Sequence, residues 1–116
     1  MMFVPLLALA MLAGHPAPTP SRALKNSDLR GLFSQKDYPL EARLNHWEGT
    51  VVMDLIVNPA GKVIKCHVVE TSGHPLLDNQ TCWIFTNRAR YRPDMDASGH
   101  PVQTILRTPP VTWRDF

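Results

Sequence analysis

Gly49-Thr50-Val51-Val52-Met53-Asp54-Leu55-Ile56-Val57-Asn58-Pro59-Ala60-Gly61-Lys62-Val63-Ile64-Lys65-Cys66-His67-Val68-Val69-Glu70-Thr71 holds two apolar runs joined by a Pro/Gly turn. Val51, Met53, Leu55 and Val57 alternate with Thr50, Val52, Asp54 and Ile56, so a strand over Thr50 to Asn58 has one strongly apolar face and one mixed face. Pro59-Ala60-Gly61 supplies a turn, and Val63 to Thr71 returns with Ile64, Cys66 and Val68 on one side. The pair reads as a hairpin.

Downstream, Ser72-Gly73-His74-Pro75 ends the second strand and opens a helix running to about Arg90. Asp78 in its first turn and Arg88 and Arg90 in its last suit the helix dipole. At roughly 100° per residue, Ile84, Leu77, Phe85, Ala89 and Cys82 fall within an arc of about 160°, which is the expected buried face. Trp83 points away from that arc, whereas Thr81 and Arg88 fall inside it as polar exceptions. Asp94 to Gly99 is a polar loop, and Val102 to Thr108 alternates as a third strand before Pro109-Pro110. Upstream, Leu24 to Ser34 reads as a short helix, Tyr38-Pro39 as an extended step, and Leu40 to Asn45 as one or two helical turns.

A helix of about 15 residues carries the chain back to the end where the second strand began, so the third strand lies antiparallel to the first. The expected fold is α+β: a three-stranded antiparallel sheet in the order third, first, second (3-1-2), one main helix on one face, and a short N-terminal helix. That order makes the third strand an edge, with a row of unpaired N–H and C=O groups that another extended chain can satisfy. The candidate edge residues are Val102, Gln103, Thr104, Ile105, Leu106 and Arg107. Two consecutive prolines at Pro109-Pro110 remove a donor on each side of the strand, so pairing is expected to stop near Thr108; the same pair also guards against edge-to-edge aggregation.

The ordered landmarks are Tyr38-Pro39 with Ala42, Gly49-Thr50-Val51, Asn58 to Val63, Thr71-Ser72-Gly73, Leu77-Asp78, Arg90-Tyr91-Arg92-Pro93 and Gly99-His100-Pro101-Val102. Taken together they resemble the C-terminal domain of the TonB family, over about two thirds of the chain. The resemblance implies a periplasmic domain that carries inner-membrane proton-motive energy to outer-membrane receptors. It further implies that the last strand pairs with a short extended receptor segment, the TonB box. The double proline departs from the single one usual in the family. By this reading the domain spans 38–116, preceded by a linker or short helix at 24–37 and a leader with a Pro-rich tether at 1–23.

Met1 to Ala13 is almost wholly apolar, too short to span a bilayer comfortably but suited to a signal-peptide core. No basic residue precedes it, and Arg22 and Lys25 follow, so a cleaved leader and a poor inner-membrane anchor both stay open. Export gives meaning to Cys66 and Cys82, because thiols pair in an oxidising compartment. Cys66 lies on the helix-facing side of the second strand and Cys82 at the margin of the buried arc, so a bridge would pin helix to sheet. The alternative is two small core residues that never meet.

A chain of 116 residues with net charge +2 and interspersed signs lacks a nucleic-acid footprint. The two cysteines make no zinc set, and no cofactor is implied. His46, His67, His74 and His100 are scattered, and no nucleophile, base and orienter stand together, so no enzyme is expected. Tyr38, Trp47 and Trp113 read as packing residues. Arg107 is either a clasp for a peptide carboxylate or a solvated edge charge.

Two function classes follow. One is an energy transducer that grips a receptor segment by strand addition and is driven by an inner-membrane proton-powered complex. The other is a stand-alone exported peptide-binding or adaptor domain. About 24 residues from Gly14 to Tyr38 reach about 27 Å as a flexible coil and about 80 Å drawn out, a short tether for transduction. A homodimer through the exposed edge is the remaining partner class.

Overall fold

The computed structural model describes residues 19–114, and the apolar leader Met1 to Ala13 lies outside them. The strands in chain order are β1 (Arg22–Ala23), β2 (Gly49–Val57), β3 (Val63–Glu70), β4 (Asp94–Met95), β5 (Pro101–Val102), β6 (Thr104–Arg107) and β7 (Val111–Trp113). The helices are α1 (Leu40–Leu44) and α2 (Pro75–Arg88), with 3-10 turns at Asn26–Leu29 and Gln35–Asp37. The fold is α+β with one main helix, as expected.

The hairpin forms as its turn chemistry requires. Asn58 Oδ1 accepts the N–H groups of Ala60 and Lys62, and Gly61 N–H donates to the Asn58 carbonyl. Gly61 sits at φ 85° with the Tyr91 carbonyl against its Cα, so a side chain there would be strained and would also collide. β2 pairs antiparallel with β3, for instance Leu55 with Cys66, and the register shifts at Val52/Met53 and Ile56/Val57. Val51, Met53, Leu55 and Val57 are all fully buried, so the alternation identified the core face.

The sheet corrects the three-stranded expectation. The order third, first, second is present as β6-β2-β3, but two further strands bring the sheet to five. β7 resumes antiparallel pairing with β2 beyond the double proline, Thr112 opposite Thr50 and Val111 opposite Val51. Pro109-Pro110 is therefore a corner between two strands that share β2, and pairing does not end at Thr108. Thr108 closes that corner: its N–H donates to the Met53 carbonyl and its hydroxyl accepts the Met53 N–H at 3.0 Å. The fifth strand is β1, which runs parallel to β6 outside it. Its two residues carry no apolar alternation that would mark them as a strand.

The stretch read as linker or short helix holds two 3-10 turns instead. It delivers Leu24 to the core, and Leu29, Leu32 and Phe33 pack against it. α2 covers one face of the sheet through Leu77, Ile84 and Phe85, with Trp83 half-exposed as its angle requires. The two polar exceptions on its buried arc are explained. Thr81 donates to the Leu77 carbonyl and accepts the Trp113 indole N–H at 2.8 Å. Arg88 forms a bidentate pair with Asp37 at 2.7 and 2.8 Å, fastening the turn at Gln35–Asp37 to the end of the helix.

Asp78 acts beyond the helix end. Its carboxylate accepts hydrogen bonds from the Thr71 hydroxyl and from both the N–H and hydroxyl of Ser72, closing the loop between β3 and α2. Burial raises its pKa, but these hydrogen bonds outweigh burial and hold it below the usual carboxylate value. A disulfide joins Cys66 on β3 to Cys82 on α2, Cα to Cα 5.8 Å, so helix and sheet are covalently pinned.

Candidate functional site

The candidate edge residues divide. Val102 belongs to β5 and pairs with Asp94 in a small hairpin, Gln103 lies between strands, and Thr104, Ile105, Leu106 and Arg107 form β6. The break follows from Asp94, whose carboxylate accepts the buried Thr104 hydroxyl and draws the hairpin against the start of β6.

β6 pairs antiparallel with β2 in the register Val57–Thr104, Ile56–Ile105, Leu55–Leu106 and Asp54–Arg107. Its outward parity is fixed by two hydrogen bonds. Thr108 N–H points inward to the Met53 carbonyl, whereas Ile105 N–H points outward to Ser21 Oγ at 3.4 Å. Odd-numbered residues therefore present their backbone groups to the outer edge and even-numbered ones to β2. Thr104 and Leu106 are buried toward the helix side of the sheet.

The outer edge is occupied by the chain itself. β1 lies parallel to β6 with Arg22 opposite Leu106 and Ala23 opposite Arg107. Ser21 N–H donates to the Ile105 carbonyl at 2.5 Å and Leu24 N–H to the Arg107 carbonyl at 2.6 Å. Leu24 anchors this segment in the core, and the Arg22 guanidinium donates to the Arg92 carbonyl at 2.8 Å. Arg22, Lys25, Arg90 and Arg92 line a hollow of about 540 Å³ beside β1. The Tyr91 hydroxyl nearby is buried with no hydrogen-bond partner among the described residues. Burial, aided by the Asp28 charge, pushes its pKa up to about 12.

Arg107 remains 41% exposed but is held in an ion pair. Its guanidinium grips Asp54 of the central strand through two hydrogen bonds of 2.8 Å, and Asp54 is only 1% exposed. The pairing raises the Arg107 pKa and commits the side chain to the sheet. Asp54 on the mixed face of β2 is thus a buried ion-pair partner, because the cross-strand register places Arg107 directly opposite it.

The aromatic residues pack as expected. Tyr38 and Trp113 meet edge to face at 5.4 Å, Phe33 caps Trp113 at 6.0 Å, and Trp47 stacks on His74 at 4.8 Å. The Tyr38 hydroxyl donates to the Trp47 carbonyl. A shallow groove of about 450 Å³ opens over Leu29, Phe33, Tyr38 and Val111. Among the described residues, no group of three or more His, Cys, Asp or Glu could hold a metal ion, and no helix is long and apolar enough to cross a membrane.

Sequence reasoning missed β1, β7 and both bidentate Arg–Asp pairs. A signal existed only for the pairs: Arg88 inside a buried arc and Asp54 in an apolar strand each call for an opposite charge. Comparisons with curated proteins and with solved structures return no match. The family model described as the Gram-negative bacterial TonB protein C-terminal matches residues 34–114, from the Ser34 turn through β7. That family is a periplasmic transport and protein-interaction domain rather than an enzyme family. With the match covering most of the chain and the fold built from the same landmarks, this protein belongs to the TonB C-terminal family.

Proposed function

We propose that this domain binds an extended, TonB-box-like segment of an outer-membrane receptor by strand addition along the outer edge of β6. On this reading it serves energy-dependent transport across the outer membrane, drawing on an inner-membrane proton-driven complex. One observation supports the edge above all: β6 already carries an added extended segment, with Ile105 and Arg107 engaged through outward-facing backbone groups. An edge that accepts the chain's own residues has the spacing and exposure to accept a partner's.

The parity worked out above makes the test specific. Ile105→Pro deletes an outward donor and adds bulk on the binding side, so the fold survives while a labelled extended receptor peptide loses affinity. Thr104→Pro removes a group facing β2 and the hydroxyl bonded to Asp94, so it lowers the melting temperature. Unchanged peptide binding by a folded Ile105→Pro variant would refute strand addition at β6.

A further inference from the structure

We infer that the segment Ser21 to Leu24 is a resident competitor for the β6 edge, and that an incoming receptor segment binds only after displacing it. The inference rests on the reading of β6 as the binding edge. It goes beyond that reading in assigning the preceding residues a gating role.

The geometry argues for occupancy that is real but reversible. Ser21 satisfies both backbone groups of Ile105, its N–H donating to the carbonyl and its Oγ accepting the N–H, and Leu24 N–H satisfies the Arg107 carbonyl. These are the same outward groups a partner strand would use, so the two cannot be present together. Against this, the paired stretch is two residues long, Ser21, Arg22 and Ala23 are all exposed, and the only buried anchor within it is Leu24. The strand is also parallel, the slightly weaker of the two ladder arrangements. A longer antiparallel partner gains bonds that β1 does not make. Pro20, immediately before Ser21, has no backbone N–H, so β1 gains no ladder donor there.

The energetic consequence is a reduced apparent affinity. When the binding-competent state is a minor fraction, the measured dissociation constant is the intrinsic one divided by that fraction. An edge open about one-tenth of the time therefore binds about tenfold more weakly than a free edge. Anything that withdraws residues 21–24 from β6 would switch the domain from weak to tight binding.

The full chain tests this with Ser21→Pro, which removes the donor to Ile105 and the hydroxyl acceptor while leaving the Leu24 anchor in place. Arg22→Ala, which removes the tie to Arg92, serves as an independent second variant. Three readouts are combined: hydrogen exchange at Ile105 and Arg107, titration with a synthetic peptide of residues 19–26, and titration with a labelled receptor-derived extended peptide. Far-ultraviolet circular dichroism reports folding. The inference expects faster exchange at those amides in both variants. It also expects tighter binding of the 19–26 peptide and of the receptor peptide, by about tenfold for Ser21→Pro. Equal affinity of parent and variants for the receptor peptide overturns the gate while leaving strand addition standing. An exposed edge that binds the 19–26 peptide but no receptor peptide overturns the receptor reading while leaving the occupied edge standing. Unchanged exchange in both folded variants overturns the inference outright.

Discussion

Leu55 and Asp54 sit side by side on β2 and face opposite ways, yet both are buried. Leu55→Ala empties a fully enclosed core position and is expected to cost about 2 to 5 kcal/mol in chemical denaturation. Asp54→Asn leaves the Arg107 guanidinium without its carboxylate, so it too should lower the melting temperature. A neutral outcome would mean that the ion pair is dispensable. Asp37 makes a pH prediction. Its hydrogen bonds from Arg88, against the opposing effect of burial, hold its pKa at about 2, down from an ordinary 3.8. A carboxylate depressed in the folded state adds stability that is complete above pH 4 and is lost as pH falls from there toward 2. Acid titration of Asp37→Asn should show a shallower decline over that window than the parent, starting from a lower stability at neutral pH. Residue-level legibility was uneven for a physical reason. Apolar alternation reports burial of hydrophobic side chains, but a buried carboxylate is legible only once its partner's register is known.

At the scale of elements, the hairpin, the main helix and its buried face were all readable, because each is set by local turn chemistry and periodicity. β1 and β7 were not. Arg22–Ala23 and Val111–Trp113 are too short to show a period, and they become strands only because β6 and β2 offer them free edges. The double proline looked like a terminator because it deletes donors, whereas the folded chain uses it to turn a corner and pair again. The Cys66–Cys82 bridge was legible from compartment and facing geometry together. Closing a loop across a separation of 16 residues contributes about 3 kcal/mol in the chain-entropy model. Reduction should therefore lower the melting temperature by about 12 to 24 °C, at about 4 to 8 °C for each kcal/mol in a domain this small. Full alkylation of both thiols in the native oxidised protein would contradict the bridge.

For the molecule as a whole, β2 is the spine: it pairs with β3 on one side and with both β6 and β7 on the other. The helix is bolted to that assembly by the Cys66–Cys82 bridge, and the outer edge of β6 carries β1. Because Arg107 is already turned onto Asp54, and Thr104 and Leu106 point into the core, a strand added at β6 as proposed would meet mainly amides and carbonyls, with the half-buried Ile105 the one free side chain of the four. Such an edge distinguishes ligands by backbone conformation more than by the identity of their letters. Scrambled peptides that keep their extended propensity should bind within a few fold of the original, whereas N-methylation of one edge-facing amide should abolish binding. A steep dependence on side-chain order would show that this promiscuity is absent.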